Sequence, residues 1–361
     1  MTTTNALITG WGMYAPSRVM TNDDLSKLVE TSDEWIVTRT GIRERRIAAD
    51  DETAATLSVN AARDALAVAG LEPNDLDLII VGTCTPDYLM PSTAVLVGHQ
   101  LGATRAAGFD LMAACSGFVF SLATATSYVR SGMARNVLVV GVEVLSRFLD
   151  YTDRTTCVLF GDGAGAVIVS AADGPGGLLG LDMYSDGSGA RGIIFPAGGS
   201  ACPTSAQTIA EGGHFVHMAG GEVYKYATRQ LAESAQTALR DAGLGVDDID
   251  QFLFHQANLR IINSVQNTVG IPAEKTYLNI ERYGNTSAAS VPMALVEAIA
   301  EDRIQPGDRL LMAAFGAGYT AGAAVIEWTA DPALRSRAPG EQTRLGHRQA
   351  AAAGADLDSR A

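Results

Sequence analysis

Charged side chains are scarce in this chain, 18% of its 361 residues against about 25% in an average globular protein. Bases are scarcer than acids, 26 Lys and Arg against 40 Asp and Glu, for a formal net charge of −14. That balance excludes a nucleic-acid-binding role, which needs a basic footprint. Long apolar runs are missing too: Leu78 to Val81 and Val137 to Val140 fall far short of the ~20 residues that cross a bilayer. The opening MTTTNAL has neither the basic nor the apolar region of a secretory leader, so a soluble cytoplasmic protein acting without a membrane is expected. Four cysteines (Cys84, Cys115, Cys157, Cys202) form no CxxC pair and no metal spacing, which argues against a zinc module or a disulfide framework. What is abundant is small and apolar: 47% hydrophobic residues and 38 glycines. That is too much core-forming material for a disordered chain, and it suggests further surface buried between subunits.

The chain repeats itself. Ala65-Leu66-x-x-Ala69-Gly70-Leu71-x-x-x-Asp75-Leu76-Asp77 returns as Ala238-Leu239-x-x-Ala242-Gly243-Leu244-x-x-x-Asp248-Ile249-Asp250. Each copy reads as a helix end with a glycine cap, then a short loop and a buried strand, LDLIIVGT or IDQFLFHQ. A second unit follows in each copy: extended GFDLMAAC, a helix from Ser116 and strand NVLVVGVE; then extended TYLNIERYGN, a helix from about Ser287 and strand RLLMAAFG. The copies stand about 170 residues apart. Two α/β halves are therefore expected, 1–175 and 176–330, dividing within AADGPGGLLG (171–180). Residues 331–361 lack apolar periodicity and read as a disordered tail.

Cys115 sits where strand GFDL gives way to an apolar helix, among the small residues Ala113, Ala114, Ser116 and Gly117. A thiol at a helix start meets the positive end of the dipole, which lowers its pKa and favours thiolate; a small buried cysteine is equally often a packed hydrophobe. Cys84 at a strand end, Cys157 within a strand and Cys202 in a loop read as structural. His255 closes buried strand QFLFHQ, at the carboxyl edge where α/β sheets hold ligands, and its repeat mate is Gly82. Asn285 opens the second-half helix at the position matching Cys115, so the two helix starts would meet near the molecular centre. His214 and His217 lack a third metal ligand. GDGAGA (161–166) and FGAGYTAG (315–322) lead into strands rather than helices, which excludes a dinucleotide loop and suggests backbone N–H groups offered to an oxyanion.

These residues resemble the β-ketoacyl-acyl-carrier-protein synthase III family of the thiolase superfamily. The likeness runs over about residues 5–328 and is carried by TSDEWIVTRTGIRERR, AACSGF, FGDGAGA, FHQANLRI, YGNTSAAS and FGAGYTAG. It implies a five-layered αβαβα thiolase-like fold of two pseudo-duplicated halves. Cys115 would take an acyl group from acyl-CoA; His255 and Asn285 would hold the malonyl thioester carbonyl during decarboxylation; the N–H groups of Cys115 and Ala317 would form the oxyanion hole. Ala317 stands where the family usually has glycine, and keeps the N–H. Trp35 and Arg154 would sandwich the CoA adenine, Arg39 would meet its phosphates and Asn258 its pantetheine arm. Malonyl-acyl-carrier protein would dock on Gln256, Ala257, Asn258, Leu259, Arg260 and Lys225. No resident cofactor or metal is implied, acyl-CoA being a substrate, and a homodimer is. In that dimer the loop PDYLMPS (86–92) would close the neighbour's acyl pocket, with Met90 where many relatives carry a large aromatic; a deformable methionine would admit branched or medium-chain primers.

Three other readings share these residues. A ketosynthase III-like acyltransferase of secondary metabolism would use the same Cys-His-Asn set. A degradative thiolase would need a second active-site cysteine near FGAGYTAG, which has none. A non-catalytic partner subunit would have lost the nucleophile, which is present.

Overall fold

The computed structural model describes residues 5–330 and Leu334; apart from Leu334, the tail expected over 331–361 lies outside the described residues. Its first sheet contains β1 (Asn5–Tyr14), β2 (Leu78–Gly82), β3 (Ala107–Leu111), β4 (Asn136–Glu143) and β5 (Gly163–Ala172), in the order β1-β5-β4-β2-β3. Strand β2 runs parallel to β3 and β4, while β5 is antiparallel to β1 and β4. The second sheet contains β6 (Gly177–Tyr184), β7 (Gln251–Phe254), β8 (Arg309–Gly316) and β9 (Thr320–Glu327), in the order β7-β8-β9-β6. Here β7 and β8 are parallel and the other pairs antiparallel. The second order therefore copies the first, with β6, β9, β8 and β7 in the places of β1, β5, β4 and β2. The counterpart of β3 is reduced to one parallel bridge, Phe252 to Thr276. Where an extended TYLNIERYGN was expected, the chain instead makes a turn of helix over Ile280–Tyr283.

Six helices complete the frame: α1 (Ala54–Ala69), α2 (Thr93–Leu101), α3 (Gly117–Arg130), α4 (Gly220–Ala242), α5 (Leu259–Val269) and α6 (Ser290–Ala300). The repeated Ala-Gly-Leu motif ends α1 and α4 alike. Gly70 and Gly243 take left-handed φ of 66° and 68°, and Leu71 and Leu244 donate back to Leu66 and Leu239. This is the closure that glycine permits at a helix end. Helix α6 is buried at every position from Ser290 to Ile299, as a helix with no polar face must be. It lies beside α3 between the two sheets, in a core that joins Phe118, Leu122 and Leu295 to Val139, Val167, Leu253 and Met312. Helices α1 and α2 cover the outer face of the first sheet, α4 and α5 that of the second. The layers read αβαβα, the thiolase-like arrangement. No helix among the described residues is long and apolar enough to cross a membrane.

The register of the duplication is 173 residues across the elements that flank the site: Leu78 with Gln251 (251 − 78), Asn136 with Arg309, Gly117 with Ser290. The mate of Cys115 is therefore Ala288, and Asn285 is the mate of Met112. Asn285 reaches the centre from two residues ahead of the turn Ser287–Ala289 that begins the helix, not from the position matching Cys115. The turn Ser287–Ala289 packs on β4 beside the turn Ala114–Ser116 because Gly141 leaves room: a Cβ there would stand 2.2 Å from the Ala288 carbonyl.

Candidate active site

Cys115, His255 and Asn285 line one cavity of about 970 Å³, shared with Cys84, Ser287, Asn258 and Ala317. Each arrives from a different element. Cys115 is held in the one-turn helix Ala114–Ser116, entered through Ala114 at φ 46°. His255 follows the last residue of β7, its N–H bonded to the Ala313 carbonyl at 2.8 Å. Asn285 is pinned by its backbone, its N–H to Leu159 O at 2.8 Å and its carbonyl accepting from Gly161 N–H at 3.0 Å.

The side chains are oriented as firmly. Asn285 Oδ1 accepts the Ser287 N–H at 2.8 Å, so the carboxamide's acceptor is used locally and its NH₂ remains to donate. His255 Nδ1 lies 2.6 Å from Ser290 Oγ, which also accepts the Gln256 N–H at 3.3 Å. Burial drives the imidazole pKa down to about 3, because a charged ring cannot be solvated there; His255 is neutral at physiological pH. Cys115 departs from the sequence expectation. Burial outweighs the helix start and pushes the thiol up to about 12, the hydrogen bond from Ser287 opposing and nearby Glu143 adding to the rise. Burial therefore works against the thiolate that the helix start was expected to favour.

The turn after β8 closes over the nucleophile. Thr320 Oγ1 donates to Ala113 O at 2.9 Å, and Ser116 Oγ to Thr320 O at 3.2 Å. A Cβ at Gly316 would come within 2.6 Å of the Cys115 nitrogen. Glycine at 316 lets the strand end approach the Cys115 backbone this closely, and Cys115 and Ala317 both line the cavity.

Outside the cavity lining, Trp35 projects from the helix Asp33–Thr40, with the guanidinium groups of Arg39 and Arg154 at 4.4 and 5.2 Å from its ring centre. Arg154 is tethered to the Glu30 carbonyl at 2.9 Å. Asn258 caps α5, its Oδ1 accepting the Arg260 N–H at 2.8 Å, and also lines the cavity. Lys225 and Arg260 are exposed on α4 and α5, Arg260 resting over Tyr224. Ala257 and Leu259 are half-buried between them. Gln256, expected on the docking surface, is turned inward: its Nε2 donates to Phe254 O at 2.7 Å and its Oε1 accepts from Asn279 N–H at 3.2 Å. A fully used amide offers a partner nothing. Met90 stands 86% exposed on its loop and does not line its own chain's cavity.

Cys157 belongs to a turn rather than a strand. His214 borders the cavity, and among the described residues no three His, Cys, Asp or Glu side chains are placed to hold a metal. Sequence reasoning missed Ser287, Ser290 and Glu143. The two serines lay inside the quoted GNTSAAS motif; an acid ending the apolar strand NVLVVGVE was the one available signal for Glu143.

A cysteine sharing one cavity with an imidazole and a carboxamide, on a duplicated five-layer frame, defines the class: a condensing acyltransferase of thiolase fold. Comparison with known proteins narrows it. The family described as 3-Oxoacyl-[acyl-carrier-protein (ACP)] synthase III matches residues 109–187, and its C-terminal region matches 239–328. The beta-ketoacyl-[acyl-carrier-protein] synthase III of Roseiflexus sp. (strain RS-1) is 51% identical over 325 residues, 90% of this chain and 99% of that one. The crystal structure of 3-oxoacyl-[acyl-carrier-protein] synthase III from Aquifex aeolicus VF5 superposes with a TM-score of 0.83 at 45% identity, covering 90% of this chain and all of the other. The priming β-ketosynthase of the R1128 polyketide pathway superposes at 0.84 with 37% identity, covering 91% and 97%. The chain belongs to the β-ketoacyl-acyl-carrier-protein synthase III family.

Proposed function

We propose that this enzyme joins an acyl-CoA primer to malonyl-acyl-carrier protein by decarboxylative Claisen condensation, through an acyl group held on Cys115. The observation that carries the reading is the meeting of Cys115, His255 and Asn285 in one chamber. Cys115 Sγ attacks the thioester carbon and CoA leaves, a two-stage route that divides one difficult transfer. The N–H groups of Cys115 and Ala317 stabilise the oxyanion. The malonyl thioester carbonyl then accepts hydrogen bonds from Asn285 Nδ2 and His255 Nε2 as carbon dioxide departs, and the enolate attacks the acyl-cysteine. This use of His255 requires its single proton on Nε2. Ser290 Oγ, 2.6 Å from Nδ1, supports that tautomer when its hydroxyl proton turns from Ser287 O, which it reaches at 2.9 Å, to Nδ1.

In the same proposal the nucleophile-bearing half is 1–175 and the His/Asn-bearing half 176–330. Trp35, Arg39, Arg154 and Asn258 take the CoA moiety. Lys225 and Arg260, with Ala257 and Leu259, receive the acidic carrier protein, and buried Gln256 takes no part in the docking. A homodimer is supported by the unpaired edge of β3 and by the exposed apolar side chains of Tyr88, Leu89, Met90, Val95 and Met112 near it, a row of open hydrogen-bonding groups that a second copy would cover. Within that dimer Met90 lines the neighbour's acyl pocket and admits primers larger than acetyl. Metal and resident cofactor have no place in the cycle, and the work is cytoplasmic. The R1128 likeness keeps a priming role in secondary metabolism as the second reading.

Intact mass spectrometry after mixing with acetyl-, isobutyryl- and octanoyl-CoA tests the core of this. One acyl adduct on Cys115, discharged by malonyl-acyl-carrier protein with release of carbon dioxide, is expected. No adduct from any primer refutes the function, and an adduct from acetyl-CoA alone refutes the role given to Met90.

A further inference from the structure

The proposed cycle leaves a proton unassigned. His255 must already carry its proton on Nε2, so it cannot also take the one on the Cys115 thiol. Among the described residues the hydrogen-bonding partner of Cys115 Sγ is Ser287 Oγ at 3.3 Å, and Ser287 Oγ lies 3.2 Å from Glu143 Oε1. Glu143 ends β4, has no exposed surface and makes no ion pair among the described residues. A carboxyl in such a place is costly unless it is used or fully hydrogen-bonded.

Its surroundings are all donors. The Thr85 hydroxyl reaches Oε2 at 2.6 Å, the Cys84 N–H reaches Oε1 at 3.1 Å, the Cys84 thiol reaches Oε1 at 3.2 Å and the Thr83 hydroxyl reaches Oε2 at 3.4 Å. Thr85 Oγ1 is itself occupied as acceptor by the Val144 N–H, and Thr83 Oγ1 by the Thr85 N–H, so both hydroxyl protons are free to point at Glu143. This set suits a carboxylate able to receive one proton. Burial, set against these hydrogen bonds, raises its pKa from the ordinary range, towards that of the thiol it would serve. The titratable groups facing it are Cys84, from the loop after β2, and Cys115; His255 stands further off, beyond Ser290.

We infer that Glu143 stores the Cys115 proton through Ser287 for the lifetime of the acyl-enzyme. In acylation the thiol passes its proton to Ser287 Oγ while Ser287 passes its own to the Glu143 carboxylate. The sulfur–acyl bond forms, the bond from acyl carbon to CoA sulfur breaks, and the CoA thiolate takes a proton from solvent. In condensation the enolate displaces Cys115 as thiolate, and the stored proton returns by the same hydroxyl. Over the cycle Glu143 is unchanged and one solvent proton is consumed, as release of carbon dioxide from a carboxylate requires. Ser287 touches the reacting sulfur; Glu143 acts through it, as a positioning residue.

The inference rests on the proposed acyl-cysteine chemistry, and rapid-quench mass spectrometry of acyl-Cys115 formation from acetyl-CoA separates the two. Glu143→Gln and Ser287→Ala should each slow acylation by about 10- to 100-fold at pH 7, within the range for a lost proton acceptor, with the apparent acetyl-CoA affinity within about twofold of wild type. The double variant should lose no more than about twofold beyond the worse single one, since both cut the same path. Wild-type acylation should rise with pH as Glu143 ionises and then level. Both variants should lack that limb and climb only with the thiol's own ionisation. Ser287→Ala removes one surface-free hydroxyl and keeps the inquiry open if the glutamine variant fails to fold. Acylation within twofold of wild type, a retained limb in either variant, or single losses that multiply overturns the relay. A wild-type enzyme that forms no adduct overturns the function and the relay together.

Discussion

Gly316→Ala isolates the geometry of the oxyanion site, because it adds one methyl where backbone meets backbone. The φ of Gly316 is −149°, ordinary extended backbone, so alanine is not strained by its dihedral angles. The clash is spatial: the new Cβ would lie 2.6 Å from Cys115 N and 3.0 Å from the Ala114 Cβ. Ordinary contact begins at 3.4 Å, so the two segments must part by about 0.8 Å (3.4 − 2.6). Neither yields easily, being tied by Thr320 to Ala113 and by Ser116 to Thr320. A displacement near 1 Å at reacting groups costs about 100-fold in rate, and loss of one oxyanion donor about 10²- to 10³-fold. Acyl-Cys115 formation should therefore fall by about 10- to 100-fold, with a stability loss of about 1–3 kcal/mol from overpacking. Gly187→Ala is the control, since nothing lies within 4 Å of a Cβ there. Rapid-quench mass spectrometry gives the rate and thermal unfolding the stability. A Gly316→Ala enzyme that acylates within twofold of wild type would show that the 316–317 backbone is not part of the oxyanion site.

Ser290→Ala should slow condensation by about tenfold while leaving acylation nearly unchanged, because it frees the His255 tautomer without touching the sulfur; equal loss in both half-reactions, measured by single turnover, would contradict this. Trp35→Ala should raise the KM for acetyl-CoA by about tenfold, a stacking and cation–π loss of about 1–2 kcal/mol, and leave the KM for an acetyl-pantetheine lacking the nucleotide unchanged. Asp64 is buried on α1, and desolvation alone lifts its carboxyl to about 6. A folded pKa above the unfolded value means its stability contribution is fully present below about pH 4 and is lost as pH rises through about 6. Asp64→Asn should accordingly stabilise the fold at pH 8 by about 1–2 kcal/mol after allowance for solvent screening, read as a higher thermal midpoint, and have no effect near pH 3.5; equal stabilisation at both values would refute the assignment.

Much of the architecture was legible along the chain. A helix end, a glycine cap and a buried strand are written in neighbouring residues, so their repetition announced the two sheets before any contact was known. Cys115, His255 and Asn285 stood out because each interrupts an apolar or small-residue pattern at the end of an element. Register was less legible. Rounding the spacing to about 170 residues paired Cys115 with Asn285, whereas the repeated motif itself, Ala65 with Ala238, and the elements on either side of Cys115 keep 173.

Local sequence thus determined which segments become helix or strand and which residues can act as nucleophile or donor, since propensity, capping and side-chain chemistry need no distant partner. Folding in three dimensions decided the rest. It turned Gln256 inward, raised the Cys115 thiol pKa by partial burial, and brought Glu143 to Ser287 across 144 positions of chain. Solvation and proton transfer depend on what surrounds an atom, and those surroundings come from segments far apart in the chain.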